Sequence, residues 1–394
     1  MTGLPLAGVT VVSVEQAVAA PFATRQLADL GARVIKVERP DGGDFARQYD
    51  ETVKGSSSYF VWLNRAKESI TLDLKQPGGR AILDELLAGA DVFVQNLAPG
   101  AVQRMGLDAV SLADAHPSLI MCNVSGYGTG GPWDARKAYD LLIQSEVGLV
   151  SITGNPDSVA KVGISIADIA AGMYAYSGIL SALYARAQTG IVNTVDVSLF
   201  DALTEWMSAP ANYTKYGGRA PARTGARHAT IAPYGPHTTR DGKQIVLAIQ
   251  NEREWASFCT IVMDSPRLAG DPSFGRNSLR VANDARLRSL IDERFGALAY
   301  REARDLLDRA GIAYADVNSI DEFLDHPVLA TRGRWQTVDT PGGPVEALKP
   351  PAILSRTPPH MGPVPYLGQH TDAILRGLGR SESDISRLRD DAAV

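Results

Sequence analysis

Cysteine is almost missing from this chain: Cys122 and Cys259 are the two in 394 residues. Two isolated thiols make neither a disulfide framework nor a metal-like spacing, and they fit a reducing, cytoplasmic setting. Cys122 falls on a predicted strand and reads as a core residue. Histidine is also sparse. The six histidines form no HExxH or paired spacing, so no metal is expected. An excess of positive charge is lacking: 39 Lys and Arg against 44 Asp and Glu leave a net charge of −5. That removes any general attraction to nucleic acid or to an anionic membrane, so neither is an expected partner. An anionic ligand then requires a local basic cluster. There is no GxxxxGK[ST] phosphate loop and no GxSxG nucleophile motif. Met1 to Leu6 shows no basic region leading into an apolar core, so no secretory signal is expected. The one long apolar run, Ile164 to Ala187, is interrupted by Asp168, two glycines and three tyrosines. It reads as a buried core helix rather than a membrane span.

What remains is an ordinary globular composition, 45% hydrophobic and 21% charged, in a chain long enough for two domains. Short β-rich runs at 9–14, 33–38, 91–95, 119–124 and 195–199 alternate with helical patterns at 21–30, 78–87 and 169–183. Such alternation predicts βαβ units and a mostly parallel sheet, with ligands at the carboxyl ends of the strands. The expected organisation is a large α/β domain over 1–208, then a linker over 209–225. A smaller α+β domain over 226–335 follows, with amphipathic helices at 284–295 and 300–310. A proline-rich linker over 336–363 precedes a C-terminal segment, 364–394, that returns to the large domain. That segment is read as a short helix, 371–378, and a polar tail.

Asp168 is the singular residue. It is the only carboxylate between Asp157 and Asp196 and opens an apolar helix. A carboxylate there must be paired, capping or reactive, because an uncompensated buried charge is costly. An N-cap is the plain reading, since aspartate caps helices well and the helix dipole favours its charge. The glycine-rich run Ser125 to Pro132 follows a strand but is succeeded by Pro132, Trp133 and Asp134 rather than a helix start. It therefore reads as a loop or lid, not a dinucleotide fingerprint. Arg39, Lys75, Arg104 and Lys137 recur beyond the predicted strands, and Asn96 lies just past one of them. Each cation alone is a solvated surface charge; together they suit a polyphosphate.

The runs LADLGARVIKVERPDGGDFAR (27–47), LNRAKESITLDLKQPGGR (63–80), ADVFVQNLAPGAVQRMGL (90–107), PSLIMCNVSGYGTGGP (117–132), VDVSLFDAL (195–203) and LGQHTD (367–372) resemble the family III CoA-transferases. That group includes formyl-CoA transferase and the carnitine and bile-acid CoA-transferases. The resemblance spans about Leu6 to Leu378. It implies a Rossmann-like large domain and an interlaced homodimer. Coenzyme A and acyl-CoA are implied as substrates, with no tightly bound cofactor. It makes Asp168 the nucleophile, places Gln16 and Tyr139 near the thioester, and assigns the CoA nucleotide to Arg39, Lys75, Asn96, Arg104 and Lys137. The reaction implied passes through an aspartyl anhydride and an aspartyl-CoA thioester.

Related 2-methylacyl-CoA racemases carry a histidine where this chain has Tyr139, so proton abstraction is disfavoured. A racemase, or a CoA-binding protein without turnover, is the alternative. The consecutive glycines of formyl-CoA transferase are missing from 248–255, so formate and oxalate are not implied. The segments 137–154 and 229–237 are more similar to the branch that uses small dicarboxylates such as succinate, mesaconate, itaconate or citramalate.

Overall fold

In the computed structural model, which describes residues 3–394, the chain divides into two compact units. The first comprises Met1–Val147, Gly163–Met207 and Val328–Val394. Its centre is a six-stranded sheet of β1 (Thr10–Val14), β2 (Arg33–Glu38), β3 (Lys67–Thr71), β4 (Val92–Gln95), β5 (Ile120–Ser125) and β6 (Val195–Ser198). The order across the sheet is β3-β2-β1-β4-β5-β6, and every pair is parallel. This is the α/β architecture with a parallel sheet that the alternating pattern predicts. The central strands β1 and β4 are mostly apolar, as expected where both faces of a parallel sheet are covered. Val12 faces Ile35 on one side and Phe93 on the other. Those residues join Ile70, Met121 and the helix residues Ile82, Leu83 and Leu86 in one core. Burying a side chain such as Phe93 contributes about 2–3 kcal/mol. Ile374, Leu375 and Ile385 from the chain's end pack into the same core.

The helix Ala19–Asp29, which follows β1, packs along the long helix Ile166–Thr189. Gly172 permits this approach: a Cβ there would lie 2.6 Å from the Ala19 carbonyl oxygen. By length and composition the long helix could cross a bilayer. Here one side of it, including Ala167, Ala171, Ala175 and Ile179, is core. Met173, Tyr174 and Tyr184 are exposed, so the expectation of a wholly buried helix is corrected. The second unit comprises Gly148–Val162 and Ser208–Pro327. Its antiparallel sheet runs Ala313–Asp316, Gln244–Ala248, Tyr234–Thr238, with the helices Asp284–Ala297 and Tyr300–Ala310 closing a core around Trp255, Phe258 and Phe295.

Several local expectations are also corrected. β3 went unread because its sequence, KESIT, is polar; its Lys67 and Ser69 are nonetheless buried. The helix Ser208–Gly217 occupies the first part of the stretch 209–225 expected as linker. The proline-rich stretch contributes Val345–Leu348, which pairs with Trp335–Val338 as an antiparallel ribbon. The polar tail forms a helix, Glu382–Asp390, whose Ser381 and Asp384 make a capping box.

Candidate active site

The strand order reverses direction between β1 and β4, and the crevice beyond such a switch point is where parallel sheets bind ligands. Gln16 leaves β1 and Asn96 leaves β4 there. The Asn96 Oδ1 accepts the Gln16 N–H at 2.8 Å, and the Asn96 Nδ2 donates to the Gln16 carbonyl at 2.8 Å. One side chain thus supplies both halves of a backbone pairing. Ala17 follows in the left-handed region, φ 64°, unusual for a residue with a Cβ. Its N–H donates to Asp44 Oδ1 at 3.0 Å. The N–H groups of Gln16 and Ala17 are therefore taken and are not available to an oxyanion.

Asp44 belongs to a buried charge cluster beneath that turn. Lys36 Nζ lies 2.8 Å from Asp44 and 3.5 Å from Glu15, and Lys67 Nζ lies 2.7 Å from Glu15. Thr24 Oγ1 donates to Glu15 at 2.7 Å. Burial alone would raise the Glu15 pKa, but Lys67 and Lys36 outweigh it and hold the carboxyl below the usual range. Burial lowers Lys67 to about 8, against the pull of Glu15. Glu38 is likewise buried, yet Arg47 and Lys36 bring it down to about 2. Every carboxylate in this cluster has a cation.

Asp168 has none. It sits at the third position of the helix Ile166–Thr189, whose preceding residue, Ser165, makes no side-chain cap. The cap comes from elsewhere in the chain. Asp140 Oδ1 accepts the Ala167 N–H at 2.7 Å and the Asp168 N–H at 3.3 Å, while Asp140 Oδ2 accepts from Gln144 Nε2 at 2.6 Å. Capping is thus done by Asp140, and the Asp168 carboxyl is left out of it. Burial first, then the Asp140 charge, pushes Asp168 up to about 7. Tyr49 borders the same space. Burial, with Asp44 and Asp168 adding, pushes its phenol up to about 12, so it stays neutral. Tyr49 meets Tyr59 edge-on at 5.6 Å, and the Tyr59 hydroxyl is 3.5 Å from Ser165 Oγ. Tyr139 immediately precedes the helix Asp140–Glu146 and is 64% exposed. Asp140 was not legible as the cap, because 27 residues separate it from Ala167.

A cleft of about 700 Å³ opens at the carboxyl ends of β4, β5 and β6. Arg104, Ser125, Gly126, Tyr127, Gly128 and Ser198 are among its lining residues. Gly126 is obligatory: a Cβ would strike the Ala138 Cβ at 2.3 Å. The glycine loop therefore lies directly against the segment Lys137–Tyr139. Of the five residues assigned to the nucleotide, Arg104 lines this cleft; Arg39, Lys75, Asn96 and Lys137 do not. Arg39 directly follows β2 and donates to the Gly43 carbonyl at 3.2 Å. Lys75 and Lys137 are exposed. Among the described residues, no cluster of His, Cys, Asp and Glu is placed to hold a metal.

The profile of CoA-transferase family III matches residues 6–371. The chain belongs to that family. It is 34% identical over 381 residues to the human succinyl-CoA:glutarate CoA-transferase, covering 95% of this chain and 86% of that protein. It is 34% identical over 385 residues to the acetyl-CoA:oxalate CoA-transferase of Acetobacter aceti, covering 96% and 97%. Among solved structures, a CaiB/BaiF family protein from Brucella suis is 34% identical, with a TM-score of 0.81 and coverage of 95% and 99%. This family III protein is therefore an enzyme that transfers CoA between acyl groups.

Proposed function

We propose that the enzyme moves CoA from an acyl-CoA donor to a short dicarboxylic acid, with Asp168 as covalent nucleophile. The carrying observation is the state of that carboxyl. It is partly buried, uncapped, without a cation, and raised to about 7. A carboxylate in that state is more basic and less solvated than an ordinary aspartate, hence a better nucleophile.

An Asp168 oxygen attacks the thioester carbonyl; the C–S bond breaks and the electron pair leaves on the CoA sulfur. The thiolate then attacks the Asp168 carbonyl of the anhydride and expels the donor acid as a carboxylate. The acceptor carboxylate attacks the resulting aspartyl-CoA thioester, and the released thiolate takes the acceptor acyl group and frees Asp168. One negative charge is handed on at each step, so no proton has to move. That suits a site whose neighbours are the tyrosines Tyr49, Tyr59 and Tyr139, and it disfavours a racemase. Gln16 supplies a side-chain donor near the thioester. Arg39, Lys75, Asn96, Arg104 and Lys137 hold the CoA nucleotide. The working form is an interlaced homodimer in the cytoplasm.

Dicarboxylate use draws support from relatives named for glutarate, oxalate and malate. The test is mass spectrometry of CoA esters after incubation with succinyl-CoA and a mixed panel of acids. New esters of short dicarboxylates are expected. Esters of bulky or aromatic acids alone would refute the substrate class, and exchange of an α-proton without an acceptor acid would establish the racemase instead.

A further inference from the structure

Resting on Asp168 as nucleophile, we propose that Asp140 is a positioning residue that makes acylation of Asp168 favourable by withholding from it both the helix N–H groups and a neutral neighbour. The first-turn N–H groups of a helix normally stabilise an anion placed beside them. Here the Ala167 and Asp168 N–H groups point to Asp140 Oδ1, at 2.7 and 3.3 Å. Asp140 is itself fixed by Gln144 Nε2 at 2.6 Å, so it cannot swing away to relieve the crowding. Two carboxylates thereby meet at one helix end, and one of them holds the Ala167 and Asp168 N–H groups. The other carries an unrelieved negative charge until it reacts. When the Asp168 oxygen bonds to the acyl carbon, its charge passes to the departing CoA sulfur. The repulsion with Asp140 disappears at that step and returns only when Asp168 is set free. The free enzyme is raised in energy relative to its covalent intermediates by the same interaction that raises the carboxyl's proton affinity.

Among the described residues, no cation is paired with Asp168 to offset this. From the 45–60 region Tyr49 feels Asp168, and the Tyr59 hydroxyl lies against Ser165; in the segment before the helix Asp140–Glu146, Tyr139 acts on Tyr49, Arg136 is paired to Glu146, and Lys137 is exposed. On the helix Ala19–Asp29, Arg25 is paired to Asp29, which also binds Arg65. On the sheet side Asp196 accepts from Asn123, and on the helix Leu199–Trp206 Asp201 accepts from Ser198. Arg186, near the far end of the long helix, is paired to Asp91.

Asp140→Asn separates charge from capping, because an amide oxygen still accepts both N–H groups. The Asp168 carboxyl is titrated by carbon NMR in the ligand-free enzyme, with Asp168→Asn identifying its signal. Neutralising Asp140 is expected to lower the midpoint by at least about one pH unit. The acid limb of kcat/KM should move down with it. The same variant should hold less covalent adduct at steady state and turn over more slowly on the alkaline plateau, with no loss of melting temperature. Asp140→Glu, which keeps the charge, should restore the midpoint toward that of the natural enzyme. An unshifted midpoint and unshifted acid limb in Asp140→Asn would overturn the proposal. If the midpoint shifts but no acyl adduct forms on Asp168 in the natural enzyme, the nucleophile assignment fails while the electrostatic role of Asp140 stands.

Discussion

Glu15 and Asp168 are both carboxylates drawn out of water within the same sheet-and-helix unit, and the chain treats them in opposite ways. Glu15 has Lys36, Lys67 and the Thr24 hydroxyl around it, and its proton affinity falls despite complete burial. Asp168 has a second carboxylate beside it and no cation, and its proton affinity rises. The first arrangement is what a structural charge requires, since breaking a compensated buried pair is costly. It secures the Ala17 turn through Asp44 and Lys36. The second arrangement has no structural benefit, because Asp140 alone does the capping. A charge kept where it is unfavourable is a signature of function, purchased with stability.

The contrast is open to attack at its strongest point first. Asp168→Asn preserves shape and removes the nucleophile. Transfer should fall at least about 10³-fold, or about 4 kcal/mol in the barrier, with acyl-CoA binding retained. Steady-state exchange and calorimetry check this, after excluding deamidation back to aspartate. In the compensated cluster, Lys36→Met strands Asp44 and leaves Glu15 with one cation. A loss of about 3–5 kcal/mol is expected in urea unfolding. If that loss is under 1 kcal/mol, the cluster is not holding the turn.

The two carboxylates should also differ in how stability depends on pH. The Asp168 pKa is raised on folding, so its favourable contribution is complete below about pH 4 and is lost as pH rises through about 7. Asp168→Asn should therefore be more stable than the natural enzyme at pH 8, by about 2–3 kcal/mol, and no more stable at pH 4. The Glu38 pKa is depressed to about 2, so its contribution is present above about pH 4.5 and lost as pH falls toward 2. Glu38→Gln should cost stability at pH 7 and very little at pH 2. Equal effects at both pH values in either variant would erase the distinction. The smallest effect concerns binding. Arg104→Ala should weaken CoA-ester affinity by about 1–3 kcal/mol, with the melting temperature of the free protein little changed. Unaltered affinity would take Arg104 out of the site.

Much of the sheet was legible because both faces of a parallel sheet are covered, and its strands read as plain apolar runs. Arg33–Glu38 is found at its predicted bounds, and the helix after β1 is within two residues of its predicted start. β3 was illegible for the opposite reason. Its Lys67 and Ser69 are polar residues that long-range partners, Glu15 and Glu38, allow to be buried. The same limit governs the site. Asp168 announces itself as a lone acid in an apolar run, which is local information. That Asp140 caps its helix, that Tyr49 borders it, and that Asn96 clasps Gln16 across 80 residues are facts of topology, the last created when β1 and β4 become neighbours. The helix Glu382–Asp390 was misread as tail because its polar face dominates its composition, while Ile385, buried, and Leu388, partly buried, anchor it to the core.

The central claim is that the uncompensated carboxylate, and not any compensated one, carries the acyl group. Hydroxylamine trapping during turnover with succinyl-CoA, followed by peptide mass spectrometry, addresses it directly. The expected result is a hydroxamate on Asp168 that forms only when acyl-CoA is present and is absent from Asp168→Asn. A hydroxamate on Asp140, Asp44 or Glu15 instead, or active turnover with no modified carboxylate at all, would contradict it.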